Sequence, residues 1–207
     1  MAIKVLSIGF GNAPAIVSWL LECGLVGVES TCDEIDPSDL IIMPGVGSAG
    51  FAMEAMSDKG FKMRIRDHVD AGGKLIGICV GMHALCSWLE EGGCSGLNFF
   101  DADVNANNFG RNTGWMPVKL QKKDFPPFWQ KGFGRKQFLK GRAFYNHNFS
   151  ISKASKDGGA ISHNAEFGFV EVLGDNDILA FQFHPEKSQD FGIDLGKFIG
   201  GALAYRG

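Results

Sequence analysis

The sequence predicts a single α/β domain in which a central, mixed but mostly parallel sheet is flanked by helices. In the first half, short and continuously apolar runs alternate with segments of helical spacing. Such strands are typical of a parallel sheet that is covered on both faces. From residue 115 onwards, segments of alternating polarity separated by glycine, proline and charge predict antiparallel additions to the same sheet. The whole chain, residues 1–207, is expected to form this one domain.

The elements of the first half can be placed in order. A strand over residues 3–9 meets the turn Gly9-Phe10-Gly11-Asn12, and a helix over residues 13–22 ends at Cys23-Gly24. The remaining elements are strands over residues 25–28 and 40–43, helices over residues 49–56 and 61–69, and a strand over residues 75–78.

The second half is predicted to be mainly strands. These cover residues 115–120, 142–151, 168–173 and 178–183, and an amphipathic helix over residues 191–205 closes the chain. The stretch 121–140, with two adjacent prolines and several lysines, is predicted to be an irregular surface loop.

Composition excludes several classes of protein. A net charge of −3 gives no electrostatic case for binding nucleic acid or an anionic membrane. The five cysteines are an odd number without a C-x-x-C pair, so neither a disulfide framework nor a zinc ribbon is predicted, and no metal or other cofactor is called for. With no signal peptide and no apolar stretch long enough to span a bilayer, the expected location is the cytoplasm.

The most informative motif is Gly77-Ile78-Cys79-Val80-Gly81. It follows an apolar strand and precedes the helix-like run 82–86, so Cys79 lies at a sharp strand-to-helix turn, where serine is found in the nucleophile elbow of hydrolases. A thiol there is expected to be exposed and, close to a helix N-terminus, disposed towards thiolate. The motif alone also fits a structural buried thiol.

A second motif offers a base for that thiol. His184 ends the apolar run 178–183, and Glu186 projects to the same side if the chain stays extended. The carboxylate then orients the imidazole, as in a Cys-His-Glu triad of Cys79, His184 and Glu186. An ordinary strand end with a surface histidine and glutamate fits the motif as well.

A third motif is the glycine turn Pro44-Gly45-Val46-Gly47, which also follows a buried strand. Backbone amides of Val46 and Val80 could together form an oxyanion hole. The alternative is an ordinary glycine turn. All three motifs follow strands, where active sites of open α/β sheets gather.

Taken together, these segments resemble the class I (triad) glutamine amidotransferases, and among them the glutaminase subunits of imidazole glycerol phosphate synthase, over almost the full length. The resemblance implies hydrolysis of L-glutamine to glutamate and ammonia through a thioester on Cys79. It also implies that the ammonia passes to a (β/α)8-barrel synthase partner, which activates the glutaminase. By position, Gly47, His83 and Glu91 would contact the substrate, Glu91 at its ammonium group. His147-Asn148-Phe149 would hold the α-carboxylate, and Asn12 and Lys187 would face the partner.

The sequence departs from the family pattern at three places. His83 stands where the family usually has a glutamine that touches the substrate, Phe149 stands in place of a tyrosine, and residues 111–116 replace the usual Pro-His-Met-Gly-Trp-Asn. His83, four residues after Cys79, is expected on the same helical face and could replace the missing contact.

Because of these departures, three alternatives stay open. The first is a paralogue that supplies ammonia for amidination of a surface-polysaccharide sugar. The second is a cysteine peptidase or γ-glutamyl hydrolase on the same elbow, which would act without a partner. The third is a non-catalytic binding subunit, which would form no adduct with a glutamine-analogue electrophile such as diazo-oxo-norleucine.

Overall fold

A computed structural model describes residues 2–7, 9, 11–57, 59–154 and 159–204. Ile8, Phe10 and Tyr205, which the sequence analysis placed in the first strand, the first turn and the last helix, lie outside the described residues. The helices are α1 (Ala13–Glu22), α2 (Ala49–Ala55), α3 (Lys59–Asp70), α4 (Val80–Ala84), α5 (Pro127–Gln130) and α6 (Gln189–Ala204). The strands are β1 (Ile3–Leu6), β2 (Gly27–Ser30), β3 (Leu40–Met43), β4 (Lys74–Ile78), β5 (Cys86–Leu89), β6 (Cys94–Ser95), β7 (Phe100–Ala106), β8 (Asn112–Gln121), β9 (Phe138–His147), β10 (Phe149–Ala154), β11 (Ala160–His163), β12 (Val170–Gly174) and β13 (Ile178–Phe181).

The central sheet has the order β11-β12-β13-β4-β3-β1-β2. The five strands from β13 to β2 are parallel, and β12 and β11 are added antiparallel at one edge. Every residue of β3, β4 and β13 is buried, as expected for central strands covered on both faces. The predicted fold class, a mixed and mostly parallel sheet flanked by helices, is confirmed.

The prediction that all strands of the second half join this sheet is wrong in part. Strands β8 and β9 form a separate antiparallel ribbon, and β10 pairs with β7 in a four-stranded sheet of order β10-β7-β5-β6. The predicted segment 142–151 is also two strands, β9 and β10, interrupted at Asn148. Alternating polarity marks a strand with one covered face, but it does not say which strand lies beside it.

The stretch 121–140 is not a surface loop. It holds α5 and the ends of β8 and β9, and it carries three aromatic side chains that are almost fully buried, Phe125, Trp129 and Phe133. The rings of Phe125 and Phe133 pack edge-on against Phe198 of α6. The stretch is therefore part of the core.

The helix predicted over residues 82–86 begins and ends earlier. Helix α4 spans only five residues, and Cys86 opens strand β5 with its side chain fully buried. Cys86 is therefore an interior residue on a strand and not part of the predicted helix. Within the described residues, no helix combines the length and apolar character needed to cross a membrane.

Candidate active site

The site forms where three neighbouring parallel strands of the central sheet end. Strand β4 pairs with β3 on one side and with β13 on the other. The carboxyl ends of parallel strands meet at one sheet edge, so the turns after them lie side by side. This edge carries Gly45 after β3, Cys79 after β4 and His184 shortly after β13.

Cys79 lies in a strained backbone conformation between β4 and α4. Its φ of 51° and ψ of −106° are rare for a non-glycine residue, and its N–H donates to the Phe181 carbonyl at 2.7 Å. Such strain at a strand-to-helix turn is typical of a nucleophile elbow. The expectation of an exposed thiol is wrong, because Cys79 is only 4 % exposed.

Glycines allow the turn after β3 to pack directly against this elbow. A β-carbon on Gly45 would lie closer than 3.0 Å to the backbone of Ile78, Val80 and Gly81. One on Gly81 would lie equally close to the carbonyl of Met43. The glycines are therefore required for close approach of two backbones, and the turns after β3 and β4 form one packed unit.

His184 is held in place through both its backbone and its imidazole ring. Its backbone N–H donates to the Phe144 carbonyl at 2.8 Å, and its carbonyl accepts from Ser188 Oγ at 2.6 Å. Its Nδ1 lies 2.9 Å from Glu186 Oε1, which leaves Nε2 for Cys79, whose side chain interacts with the imidazole. Residues 185–187 form a 3₁₀ turn, so the predicted His184–Glu186 pair is made by that turn and not by an extended strand.

The electrostatics of this pair favour a charged imidazole. Burial opposes the imidazolium form, but hydrogen bonds to Cys79 and Glu186 and the charges of both raise the pKa of His184 to about 9. Burial likewise opposes the Glu186 carboxylate, but the hydrogen bond and charge of His184 and the Asn12 amide hold the pKa of Glu186 below its usual range. At neutral pH the imidazole of His184 is therefore charged, and an imidazolium favours the anionic form of a neighbouring thiol.

The two residues predicted to face a partner lie around this pair. Asn12, which precedes α1, donates from Nδ2 to Glu186 Oε1 at 2.7 Å. Lys187 is exposed, with its ammonium over the Phe144 ring. Asn12 thus fixes the carboxylate that holds His184.

A cavity of about 190 Å³ opens in front of Cys79. It is large enough for one small polar molecule. Nearly all the predicted site residues line it, namely Val46, Gly47, Cys79, Val80, His83, Glu91, His147, Asn148, Phe149 and His184. Among the described residues, no group of three or more histidine, cysteine or carboxylate side chains is arranged to hold a metal ion.

His147 orders the wall of this cavity. Its Nδ1 donates to the Phe149 carbonyl at 2.9 Å, and its Nε2 accepts from the Asn112 side-chain amide at 2.9 Å. Burial, with the imidazole of His83 nearby, lowers the pKa of His147 to about 3. His147 is therefore neutral at pH 7, and it fixes the backbone of residues 147–149 at the break between β9 and β10.

His83 is linked to the thiol through a residue that the sequence analysis did not single out. His83 Nε2 donates to Gln182 Oε1 at 2.9 Å, and Gln182 Nε2 points at Cys79 Sγ, 3.9 Å away. The other ring nitrogen of His83, Nδ1, is buried at the cavity wall without a hydrogen-bond partner. Burial lowers the pKa of His83 to about 4, although the bond to Gln182 works in the opposite direction.

Arg111 and Asn146 also line the cavity and were not singled out as site residues. A signal for Gln182 was present, since an amide side chain inside the apolar run 178–183 requires a buried polar partner. For Arg111 no such signal existed, because its place beside the cavity follows from the pairing of β8 with β9, which aligns Asn112 with His147.

We expect the neutral state of His83 to make the protein sensitive to acid. The unfolded chain protonates this residue near pH 6.5, whereas the folded chain resists protonation down to about pH 4. Because the folded-state pKa is the lower one, stability is lost as the pH falls through this window. Between pH 7.5 and 5, wild type should lose about 2 kcal/mol more unfolding free energy than His83→Gln.

Urea denaturation followed by tryptophan fluorescence at both pH values measures this difference. His163→Gln, the same exchange at an exposed position, is the control and should follow wild type. An equal pH dependence of the unfolding free energy in wild type and in His83→Gln would contradict the assignment of a neutral, buried His83.

Comparison with known proteins gives the family. The sequence profile described as "Glutamine amidotransferase class-I" matches residues 13–192. The chain belongs to the class I glutamine amidotransferases. The matched region includes Cys79, Glu91, His147 and His184.

Relatives from bacteria match almost the whole chain. One from Thermus thermophilus, named "Imidazole glycerol phosphate synthase subunit HisH", is 31 % identical, and the match covers 93 % of this chain and 94 % of the relative. One of the same name from Bdellovibrio bacteriovorus is 29 % identical over 94 % of this chain and 97 % of the relative. Among solved structures, PurLQS from Thermotoga maritima shares the fold at 16 % identity, with a TM-score of 0.74 over 99 % of this chain and 98 % of that one.

Proposed function

We propose that this amidotransferase is a glutaminase subunit that hydrolyses L-glutamine to glutamate and ammonia and supplies the ammonia to a (β/α)8-barrel synthase. The reaction that it serves is imidazole glycerol phosphate synthesis in histidine biosynthesis, in the reducing cytoplasm. The observation that carries the proposal is the contact of His184 with both Cys79 and Glu186 at the wall of a cavity sized for a small polar molecule. The names of the bacterial relatives support the choice of pathway.

In the first half of the reaction, the Cys79 thiolate attacks the carboxamide carbon of glutamine. The oxyanion that forms accepts hydrogen bonds from the backbone amides of Val46 and Val80, which lie in the packed unit of the two turns. His184, held as an imidazolium by Glu186, gives its proton to the departing nitrogen. Ammonia leaves, and a thioester remains on Cys79.

In the second half, His184 takes a proton from water, and the resulting hydroxide attacks the thioester carbon. The carbon–sulfur bond breaks, glutamate leaves and the Cys79 thiolate is restored beside the imidazolium. Each turnover therefore consumes one glutamine and one water. The step requires no metal or other cofactor.

The remaining cavity residues hold the amino-acid end of the substrate. Glu91, whose Oε2 accepts from the Ala49 amide at 2.6 Å, faces the ammonium group. The backbone of Gly47 and of His147-Asn148-Phe149 lies along the substrate and its α-carboxylate. His83 contributes the unpartnered Nδ1 as an acceptor for a substrate N–H.

The partner binds over the edge that carries Asn12 and Lys187. Asn12 touches Glu186 directly, so a partner that moves the turn before α1 acts on the carboxylate behind His184. Through this contact, binding of the partner changes the position of Glu186 and with it the position of His184.

We expect glutamate release to rise about 5- to 150-fold when a cognate (β/α)8-barrel synthase subunit is added. The rate is measured with and without that subunit, at saturating glutamine. Cys79→Ala is the matched control, since it should bind the barrel and release no glutamate. Equal rates with and without the partner would reject partner control and favour a hydrolase or peptidase that acts alone.

A second candidate is the supply of ammonia for amidination of a surface-polysaccharide sugar. The observation that favours it is the set of departures from the family pattern at His83, Phe149 and residues 111–116. Both candidates use the same Cys79 chemistry and differ in the acceptor. Pull-down of the barrel partner, followed by identification of the substrate that gains nitrogen, separates them.

A further inference from the structure

The cavity is lined by one carboxylate side chain and one guanidinium side chain. Among the described residues that line it, the Asp, Glu, Lys and Arg side chains are Glu91 and Arg111. None of the ion pairs of the described residues joins these two side chains. A site with separate positive and negative groups suits a zwitterion, whose ammonium and carboxylate are carried by the same carbon.

The guanidinium of Arg111 is held in place by neutral groups. Its Nε donates to Thr113 Oγ1 at 3.0 Å, and its Nη2 donates to Asn146 Oδ1 at 3.3 Å. Thr113 Oγ1 also donates to Asn146 Oδ1 at 3.0 Å, which links the two anchors. The side chain is therefore positioned, and its charge is not matched by a carboxylate of the described residues.

The strand pairing brings Arg111 to the segment that borders the carboxylate end of the substrate. Asn112 pairs with His147 and Thr113 with Asn146 at the end of the β8–β9 ribbon. Arg111 directly precedes Asn112, and Asn148 directly follows His147 at the point where β9 gives way to β10. The guanidinium and the backbone of residues 147–149 thus border the same part of the cavity.

We propose that Arg111 binds the α-carboxylate of the substrate while Glu91 binds its ammonium group, so that the cavity selects a free amino acid. This inference rests on the proposed glutaminase function and adds a residue that sets substrate specificity. A glutamine whose α-carboxylate is blocked, as in an amide or a peptide, leaves the guanidinium without its partner. Arg111 is then a reason for the enzyme to leave glutamine residues within peptides untouched.

The test compares two reagents that alkylate Cys79. Diazo-oxo-norleucine carries the amino-acid head of glutamine, whereas iodoacetamide does not. Arg111→Gln should lower the second-order rate of labelling by diazo-oxo-norleucine about 10- to 100-fold, the range expected for a lost hydrogen bond to a charged group. The rate with iodoacetamide should stay unchanged, and Arg111→Lys should give an intermediate loss.

A blocked ligand makes the test specific for the carboxylate. In wild type, L-glutamine should protect Cys79 from iodoacetamide at lower concentration than its α-carboxamide analogue does. In Arg111→Gln the two ligands should protect about equally. Arg142→Gln, which removes the same charge from an exposed site outside the cavity, is the matched control and should behave as wild type.

The outcomes separate the role of Arg111 from the proposed glutaminase function. An unchanged rate with diazo-oxo-norleucine in Arg111→Gln, or an equal fall with both reagents, overturns the role of Arg111 and leaves the glutaminase proposal intact. If neither reagent labels Cys79 in wild type, it is the glutaminase proposal itself that fails. Circular dichroism of each variant confirms that it is folded before the rates are compared.

Discussion

Replacement of Cys79 by serine is expected to lower glutamate release from glutamine by at least about 10⁴-fold, as removal of a nucleophile does in other triads. The exchange swaps one atom in a side chain that is only 4 % exposed, so the loss comes from chemistry and not from packing. The pKa of His184, raised to about 9, keeps its imidazole charged at neutral pH, and an imidazolium stabilises a neighbouring sulfur anion. A serine hydroxyl gives up its proton far less readily than a thiol does, so a serine anion beside the imidazolium cannot form.

A coupled assay for glutamate, run with the barrel partner present, measures the loss. Mass spectrometry after treatment with diazo-oxo-norleucine should find one adduct, on Cys79, in wild type and none in Cys79→Ser. Cys86→Ser is the matched control. Cys86 is fully buried in β5 and donates to the Met82 carbonyl, and burial raises the pKa of its thiol, so it should take no reagent. Wild-type turnover in Cys79→Ser, or an adduct on another cysteine, would refute the nucleophile.

Replacement of Gly45 by alanine should reduce turnover about 100-fold although the residue carries no side chain. The added methyl group would overlap the backbone of Ile78, Val80 and Gly81, and a backbone cannot move aside as the end of a flexible side chain can. The turn after β3 has to move away from the elbow, and a displacement of about 1 Å in an active site can cost this much. Overpacking should also lower the free energy of unfolding by about 1–3 kcal/mol.

Turnover and urea denaturation of the same preparation separate the two effects. Gly201→Ala on α6 is the matched control, because its added methyl would meet the nearest atom at 3.3 Å, where a small shift suffices. It should keep wild-type turnover and lose little stability. Unchanged turnover in Gly45→Ala would show that the packing of the two turns is not needed for the chemistry.

Much of the fold could be predicted because its signals are local. The strands that deliver Cys79 and Gly45 are short apolar runs ended by glycine or proline, and parallel strands of this kind are buried on both sides. The positions of His184 and Glu186 followed from their spacing, although a 3₁₀ turn and not an extended chain joins them. The roles of these residues stay predictions.

What could not be predicted depends on contacts between distant parts of the chain. The register of β8 on β9, which brings Arg111 to the cavity, is set by pairing between residues that are 17 (Gln121 and Phe138) to 35 (Asn112 and His147) positions apart. Burial of the stretch 121–140 depends on Phe198 of the last helix. The link from His83 to Cys79 runs through Gln182, about a hundred residues away from both, and no local pattern contains it.

The packing of the turns after β3 and β4 limits how the enzyme can be switched. Gly45 and Gly81 allow these two backbones to touch. Neither turn can therefore move away from the other without disrupting the packing between them. Gly47, with a φ of +112° and open space around it, is the point where the chain can still turn. A partner that touched this turn would rotate the peptide plane beside Val46 while the Cys79 sulfur and the sheet beneath it stay in place, a second route besides the contact of Asn12 with Glu186.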